Sequence, residues 1–318
     1  MHRGAGVISF EAGNNTTNLY LYDLTAQTTS RFPQYPIVSF TTTWSPDGSR
    51  VFFARIQGDD YGLYMMRLSD FHVERLPADN DFMVGVVAWS PDSRWLAIVK
   101  QSGLYVYDMN ALPPTYEQFP VSTTLTNLDW SPDSTRMALI GWLPSTMVGS
   151  HLLVYDVNLH TLQYLIPPIR YVEDVSVAWS PDGSQIAFTR QQSDPMLMVM
   201  NTDGSRIRSI PSAEIRSFAQ SVWTPGGRWL LIEGEYDGTS GLLMVDTLTG
   251  ESRLWVVDSQ LIAGPSFAPN GSDDLLYAGY YSVDLGSQLF VIHTRTDQEI
   301  HLLPISIHGV RNPQWVPW

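Results

Sequence analysis

One five-residue phrase recurs along the whole chain. Trp44-Ser45-Pro46-Asp47-Gly48 returns as Trp89-Ser90-Pro91-Asp92-Ser93, Trp130-Ser131-Pro132-Asp133-Ser134 and Trp179-Ser180-Pro181-Asp182-Gly183. Looser copies stand at Trp223-Thr224-Pro225-Gly226-Gly227 and Phe267-Ala268-Pro269-Asn270-Gly271, with a truncated one at Trp315-Val316-Pro317-Trp318. The spacing between successive aromatic positions stays in the forties. A period of that length filled with short strands is the mark of a β-propeller blade.

Residues 84–119 show how one repeat makes one blade. Val84 to Trp89 reads as a short apolar strand and Ser90-Pro91-Asp92-Ser93 as the turn that reverses it. Pro presets φ at the second turn position, and Asp at the third bonds nearby backbone. Gly48 and Gly183 supply the positive φ that closes a tight hairpin. Trp95 to Lys100, Leu104 to Asp108 and Tyr116 to Phe119 complete four strands. Third strands such as Leu152-Leu153-Val154-Tyr155-Asp156 are near-continuous apolar runs, as expected where neighbouring blades cover both faces.

The ends complete the count. Gly6 to Phe10, Leu19 to Asp23 and Thr28 to Phe32 are second, third and fourth strands without a first, while Val310 to Trp315 is a first strand with nothing after it. The expected fold is therefore all-β: a seven-bladed propeller of four-stranded antiparallel blades, closed by the C-terminal first strand (310–315) pairing with the N-terminal strands. It is read as one domain, 1–318. The split blade takes 1–36 plus 309–318, and full blades begin near 37, 83, 124, 173, 217 and 261.

The phrase, followed by a short apolar strand and a Leu-Tyr-Val-Tyr-Asp type strand, resembles the TolB-type WD-like propeller repeat. That resemblance implies a rigid protein-binding or scaffold module, commonly in exported bacterial proteins, and so an extracytoplasmic location. Similar propellers also form the gating domain of prolyl-oligopeptidase-type enzymes, and a few are polysaccharide lyases. The sequence itself starts without the apolar stretch of a signal peptide.

Composition narrows the function. A formal net charge of −14 argues against nucleic acid as partner, since phosphate recognition needs clustered Lys and Arg. No apolar run is long enough to span a membrane. The absence of cysteine excludes disulfides, thiolate metal sites and cysteine nucleophiles. There is no Gly-x-Ser-x-Gly elbow, no His-Glu-x-x-His spacing and no phosphate loop. The seven histidines fall in different phases of different repeats. No catalytic residue, metal or cofactor is expected, and the chain is read as a non-enzyme.

The repeated Trp and turn Asp read as structural, and so do the acids ending third strands, Asp23, Asp108, Asp156 and Asp246. The informative surface is the opposite rim, built from the loops joining second to third strands and fourth to next-first strands. It carries Asp59, Asp60, Tyr61, Trp142, Tyr171, Asp174, Tyr236, Asp237, Tyr280 and Tyr281, against few bases, among them Lys100, Arg170, Arg190 and Arg216. Loops on a rigid scaffold are where binding residues sit, and aromatic anchors in a polar surround suit recognition. The expected role is a scaffold that binds a protein or peptide of basic character, as a domain of a larger polypeptide or assembly. The alternative is a carbohydrate-active propeller enzyme or the gating propeller of a larger hydrolase. First strands should line a central channel, where Asn127, Asp129, Gln220 and Asn312 are the polar candidates.

Overall fold

The computed structural model describes residues 6–13, 18–32, 42–57, 60–77, 84–121, 127–143, 149–192, 195–211, 215–236, 239–257, 261–268, 274–282, 286–293, 298–301 and 310–317. Their strands form seven four-stranded antiparallel sheets, the blades of a seven-bladed β-propeller, with no helix among the described residues.

By contact density the chain divides into two units. The first takes Met1–Ala78 and Asp258–Trp318. It holds the blade of β1 (Val7–Ala12), β2 (Asn18–Asp23) and β3 (Thr28–Arg31), which β28 (Arg311–Val316) completes by pairing with β1. It also holds β4 (Thr43–Trp44), β5 (Arg50–Gln57), β6 (Asp60–Arg67) and β7 (Val73–Arg75), then β24 (Leu261–Phe267), β25 (Leu275–Ser282), β26 (Gly286–His293) and β27 (Gln298–His301). The closure of the first blade by the C-terminal strand agrees with the sequence reading. Its register has Ser9 facing Gln314 and Glu11 facing Arg311, so Phe10 stands opposite two residues. This bulge accommodates Pro313, which has no N–H to give to a ladder.

The second unit, Asp79–Val257, is four consecutive blades. They are β8 (Val84–Trp89), β9 (Trp95–Lys100), β10 (Gly103–Asp108), β11 (Thr115–Phe119); β12 (Leu128–Trp130), β13 (Arg136–Gly141), β14 (His151–Asp156), β15 (Thr161–Tyr164); β16 (Glu173–Trp179), β17 (Gln185–Gln191), β18 (Met196–Asn201), β19 (Arg208–Ile210); and β20 (Ile215–Trp223), β21 (Trp229–Tyr236), β22 (Thr239–Asp246), β23 (Ser252–Val257). The inner strands β9, β10, β13 and β14 are buried on both faces, as their apolar runs require.

The repeated tryptophans are the wedges between blades. Trp44, Trp89, Trp130, Trp179 and Trp223 are all buried. At about 25 cal/mol per Å² of apolar surface, each contributes on the order of 4 kcal/mol of gross burial. Several also bond the preceding blade. Trp130 Nε1 donates to the Ala88 carbonyl (3.2 Å), and Trp223 Nε1 donates to the Ala178 carbonyl (3.1 Å). Within the first unit, Trp315 Nε1 donates to the Ser266 carbonyl at 3.0 Å. In each case the acceptor directly precedes the previous repeat's aromatic.

The turn closes as its residues dictate. The fourth residue donates its amide to the carbonyl of the first, Gly48 to Ser45 and Gly183 to Ser180, each at 2.8 Å. That residue has positive φ whether it is glycine (Gly48 68°, Gly183 71°) or serine (Ser93 61°, Ser134 61°). Serine there carries the left-handed penalty of about 1 kcal/mol. At Ser134 the hydroxyl offsets it by accepting from the Asp92 amide of the preceding blade at 3.0 Å.

Candidate functional site

The repeated acids are engaged inside the scaffold. Asp133 accepts from Ser131 Oγ (2.6 Å) and the Thr135 amide (3.0 Å); Asp182 does the same with Ser180 (2.6 Å) and Ser184 (3.0 Å). The serine hydroxyls lead in holding both carboxyls below the usual carboxylate range. The acids closing third strands cap the turns that follow. Asp108 accepts from the Asn110 amide, Asp156 from Asn158 and Leu159, and Asp246 from Leu248 and Thr249. Arg94 and Arg228 compensate Asp108 and Asp246 at 2.9 and 2.6 Å. Carboxylates so engaged are structural.

At the opposite end of the four-blade unit, one loop junction is built differently. The β15–β16 loop climbs through Ile169, Arg170 and Tyr171, all exposed, and re-enters the protein at Asp174. Tyr171 is 95% exposed and adopts φ 64°, an uncommon conformation for an aromatic residue. Three residues later Asp174 is 0% exposed. Its Oδ1 receives Arg190 Nε at 2.9 Å, and its Oδ2 receives Arg190 Nη2 at 3.4 Å and the Leu152 amide at 3.2 Å. His151 Nδ1 lies 3.5 Å from the same Oδ2, and its Nε2 has no hydrogen-bond partner among the described residues. The Asp174 amide donates to the Ser150 carbonyl at 2.8 Å, tying this loop to the start of β14 in the neighbouring blade. The Tyr164 hydroxyl accepts from the Leu143 amide at 3.1 Å, beside half-buried Trp142. The two blades thus share a buried ionic base, with aromatic residues at the surface end.

Asp174 was expected as an accessible rim acid, and the structure corrects this: it lies under the surface because a buried guanidinium compensates it. Arg190 and Lys100, read as rim bases, are also buried, Arg190 over the Phe188 ring at 5.2 Å and Lys100 Nζ over the Tyr105 ring at 4.1 Å. His151 was missed. A lone histidine in one repeat carries no periodic signal, and its neighbour Asp174 lies 23 positions away in sequence. Asp59 and Asp237 lie outside the described residues. Asp60 and Tyr61 fall on β6, Tyr236 on β21, and Tyr280 and Tyr281 on β25, with side chains outside the description.

Of the channel candidates, Gln220 and Asn312 fall on β20 and β28 with side chains likewise outside it. Asn127 and Asp129 are half-buried beside and on β12. Asp129 Oδ2 accepts the Trp179 amide of the next blade at 2.7 Å. Protein surrounds Asp129 deeply although part of the side chain still meets solvent. Burial pushes its carboxyl up to about 7, against the lowering pull of the Trp179 and Trp130 amides. No group of three metal-ligating side chains occurs among the described residues.

Seven four-stranded blades, four of them with a Ser-Pro-Asp turn between first and second strands, and a terminal strand borrowed to finish the first blade define a WD-like β-propeller. The family model described as TolB beta propeller domain matches residues 88–318, well over half of the chain, and the chain belongs to that family. No curated protein matches it. Among solved structures it is similar to TolB from Acinetobacter baumannii (16% identity, TM-score 0.59, covering 98% of this chain and 82% of that one). It is also similar to an oligogalacturonate lyase in complex with manganese (17%, 0.63, covering 92% and 84%). A Mycobacterium tuberculosis puromycin-hydrolyzing peptidase aligns at 13% identity and TM-score 0.71, over 94% of this chain and 53% of its own. At these identities the likeness is one of fold.

Proposed function

We propose that this TolB-type propeller is a non-catalytic scaffold that binds a protein or peptide through the loop face bearing Trp142 and Tyr171. The observation that carries this reading is the contrast within one loop: Tyr171 is 95% exposed, while Asp174, three residues on, is wholly buried and held by Arg190. An exposed aromatic on a braced loop loses little freedom on binding, which suits an anchor residue. In sequence, Asp59, Asp60, Tyr61, Tyr236, Asp237, Tyr280 and Tyr281 fall at or near the junctions of second and third strands in their own blades, and the acids among them favour a basic partner.

The test is affinity capture with the wild-type chain and with Tyr171→Ala. Both should melt alike, since the ring packs against little. A bound protein should be retained by wild type, and its affinity should fall about tenfold or more in the variant. Retention of every partner by Tyr171→Ala and by a combined Asp59→Ala, Asp60→Ala, Asp237→Ala variant would refute the assignment. The second reading, a carbohydrate-active propeller, draws on the fold shared with the oligogalacturonate lyase. Cleavage of oligogalacturonate by the purified chain, with and without manganese, would decide for it.

A further inference from the structure

The loop that presents Tyr171 hangs from one short stretch of the neighbouring blade. Its first leg is held where the Leu165 amide donates to the Leu152 carbonyl at 3.2 Å, with Ile166 buried beside it. Pro167 and Pro168 then stiffen the ascent to the tip, since each fixes its own φ. The second leg is held where the Asp174 carboxylate accepts the Leu152 amide at 3.2 Å and the Asp174 amide donates to the Ser150 carbonyl at 2.8 Å. Both legs share Leu152, and all three anchoring bonds fall on Ser150 and Leu152, the two residues that flank His151.

His151 is the odd member of this anchor. It is 1% exposed, its Nδ1 lies 3.5 Å from Asp174 Oδ2, and its Nε2 is buried with no hydrogen-bond partner among the described residues. A neutral ring leaves only a lone pair unsatisfied there. A protonated ring strands a charged N–H without an acceptor, which is far more costly inside a protein. Asp174 offers little compensation, because its oxygens already receive Arg190 Nε, Arg190 Nη2 and the Leu152 amide. The remaining groups around the ring do not replace it. Arg190 on β17 is a second cation, Tyr164 on β15 stands edge-on with ring centroids 6.3 Å apart, and Glu173 on β16 is exposed at the surface. The stretch 141–150 leading into β14 carries no titratable side chain.

We propose that the Tyr171 loop is a proton-operated binding arm, held on a fixed base while His151 is neutral and freed at both legs when His151 takes up a proton. A protonated ring reaches water only by drawing the start of β14 outward. That movement carries away the Ser150 carbonyl and both backbone groups of Leu152, so the two legs let go together. Imidazole is the side chain that ordinarily changes charge between about pH 5 and pH 8, so acid is the signal. A partner gripped through Tyr171 at neutral pH is released on acidification. This use of the arm rests on the binding role assigned to Tyr171; the coupling of the loop to His151 does not.

Hydrogen exchange of residues 165–174 tests the coupling without any partner, read by mass spectrometry as protection factors so that the intrinsic pH dependence of exchange cancels. In the wild-type chain, protection of this segment should fall about tenfold or more between about pH 7.5 and about pH 5, while residues 95–108 keep theirs. His151→Phe and His151→Gln cannot take up the proton, so in both the ratio between the two pH values should stay near one, whatever the absolute protection. Tyr171→Ala should show the wild-type fall, so that a failed binding role and a failed latch give different results. An equal fall in the wild type and both histidine variants would assign the effect to another group. That outcome, or no fall in the wild type, would overturn the proposal.

Discussion

Asp129 is a carboxyl placed where ionising is costly. Its one strong bond, from the Trp179 amide at 2.7 Å, favours the charged form, yet the surrounding protein wins and raises it from 3.8 to about 7. The folded state therefore holds this proton more tightly than the unfolded chain does. Below about pH 4 both states are protonated and Asp129 costs nothing. Between about pH 4 and pH 7 the unfolded chain has released its proton while the folded one retains it, so stability declines as pH rises. Above about pH 7 the penalty levels off at on the order of 2–4 kcal/mol. Asp129→Asn keeps an oxygen to accept from Trp179 and cannot ionise. In urea unfolding it should match wild type at pH 4 and exceed it at pH 8; a difference independent of pH would mean that Asp129 does not titrate as its burial implies. That Asp129 stands on a first strand could be read from its position before Trp130. Its bond to Trp179 could not, because that contact joins residues of different blades.

At the scale of the element, what was legible follows locality. The Ser-Pro-Asp turns and the strands they join are specified by residues within a few positions. Val84–Trp89 and Trp95–Lys100 accordingly begin and end where the apolar runs and the turn chemistry place them. The β15–β16 loop shows the converse. Exposed Tyr171 and buried Asp174 look alike as loop residues in sequence, and only Arg190 on β17 and the Leu152 amide on β14 decide which one goes inside. The buried pair lies within one blade and reaches the neighbouring blade through the Leu152 amide, and removing one partner is the sharpest probe of it. Arg190→Met leaves the Asp174 carboxylate inside with the Leu152 amide and His151 but no fixed cation, which should cost about 3–5 kcal/mol. Adding Asp174→Leu removes the stranded charge and should recover much of that loss. Denaturant titrations of both variants check this. Equal destabilisation in the single and double variants would show that lost packing at position 190, and not an uncompensated charge, carries the effect.

For the whole molecule, the pivotal element is the strand that travels from one end of the sequence to finish a blade begun at the other. Residues at the ends announced it, an N-terminal blade lacking a first strand and a C-terminal first strand lacking a blade. The bulge opposite Phe10 was not announced, because it arises only when Pro313 has to be fitted against β1. Without β28, the edge of β1 would present Ile8, Phe10 and Ala12, all now buried, along an unpaired row of backbone donors and acceptors. Such an edge is a template for aggregation. The Trp315 bond to Ser266 and the burial of Val316 would go with it. A chain ending at residue 310 should therefore precipitate or elute as large aggregates. A synthetic peptide of residues 311–318 added during refolding should return it to the soluble form with a cooperative melt. Were the shortened chain to stay soluble and melt at the wild-type temperature, the paired termini would not be what holds the first blade, and its stability would have to come from β2 and β3 alone.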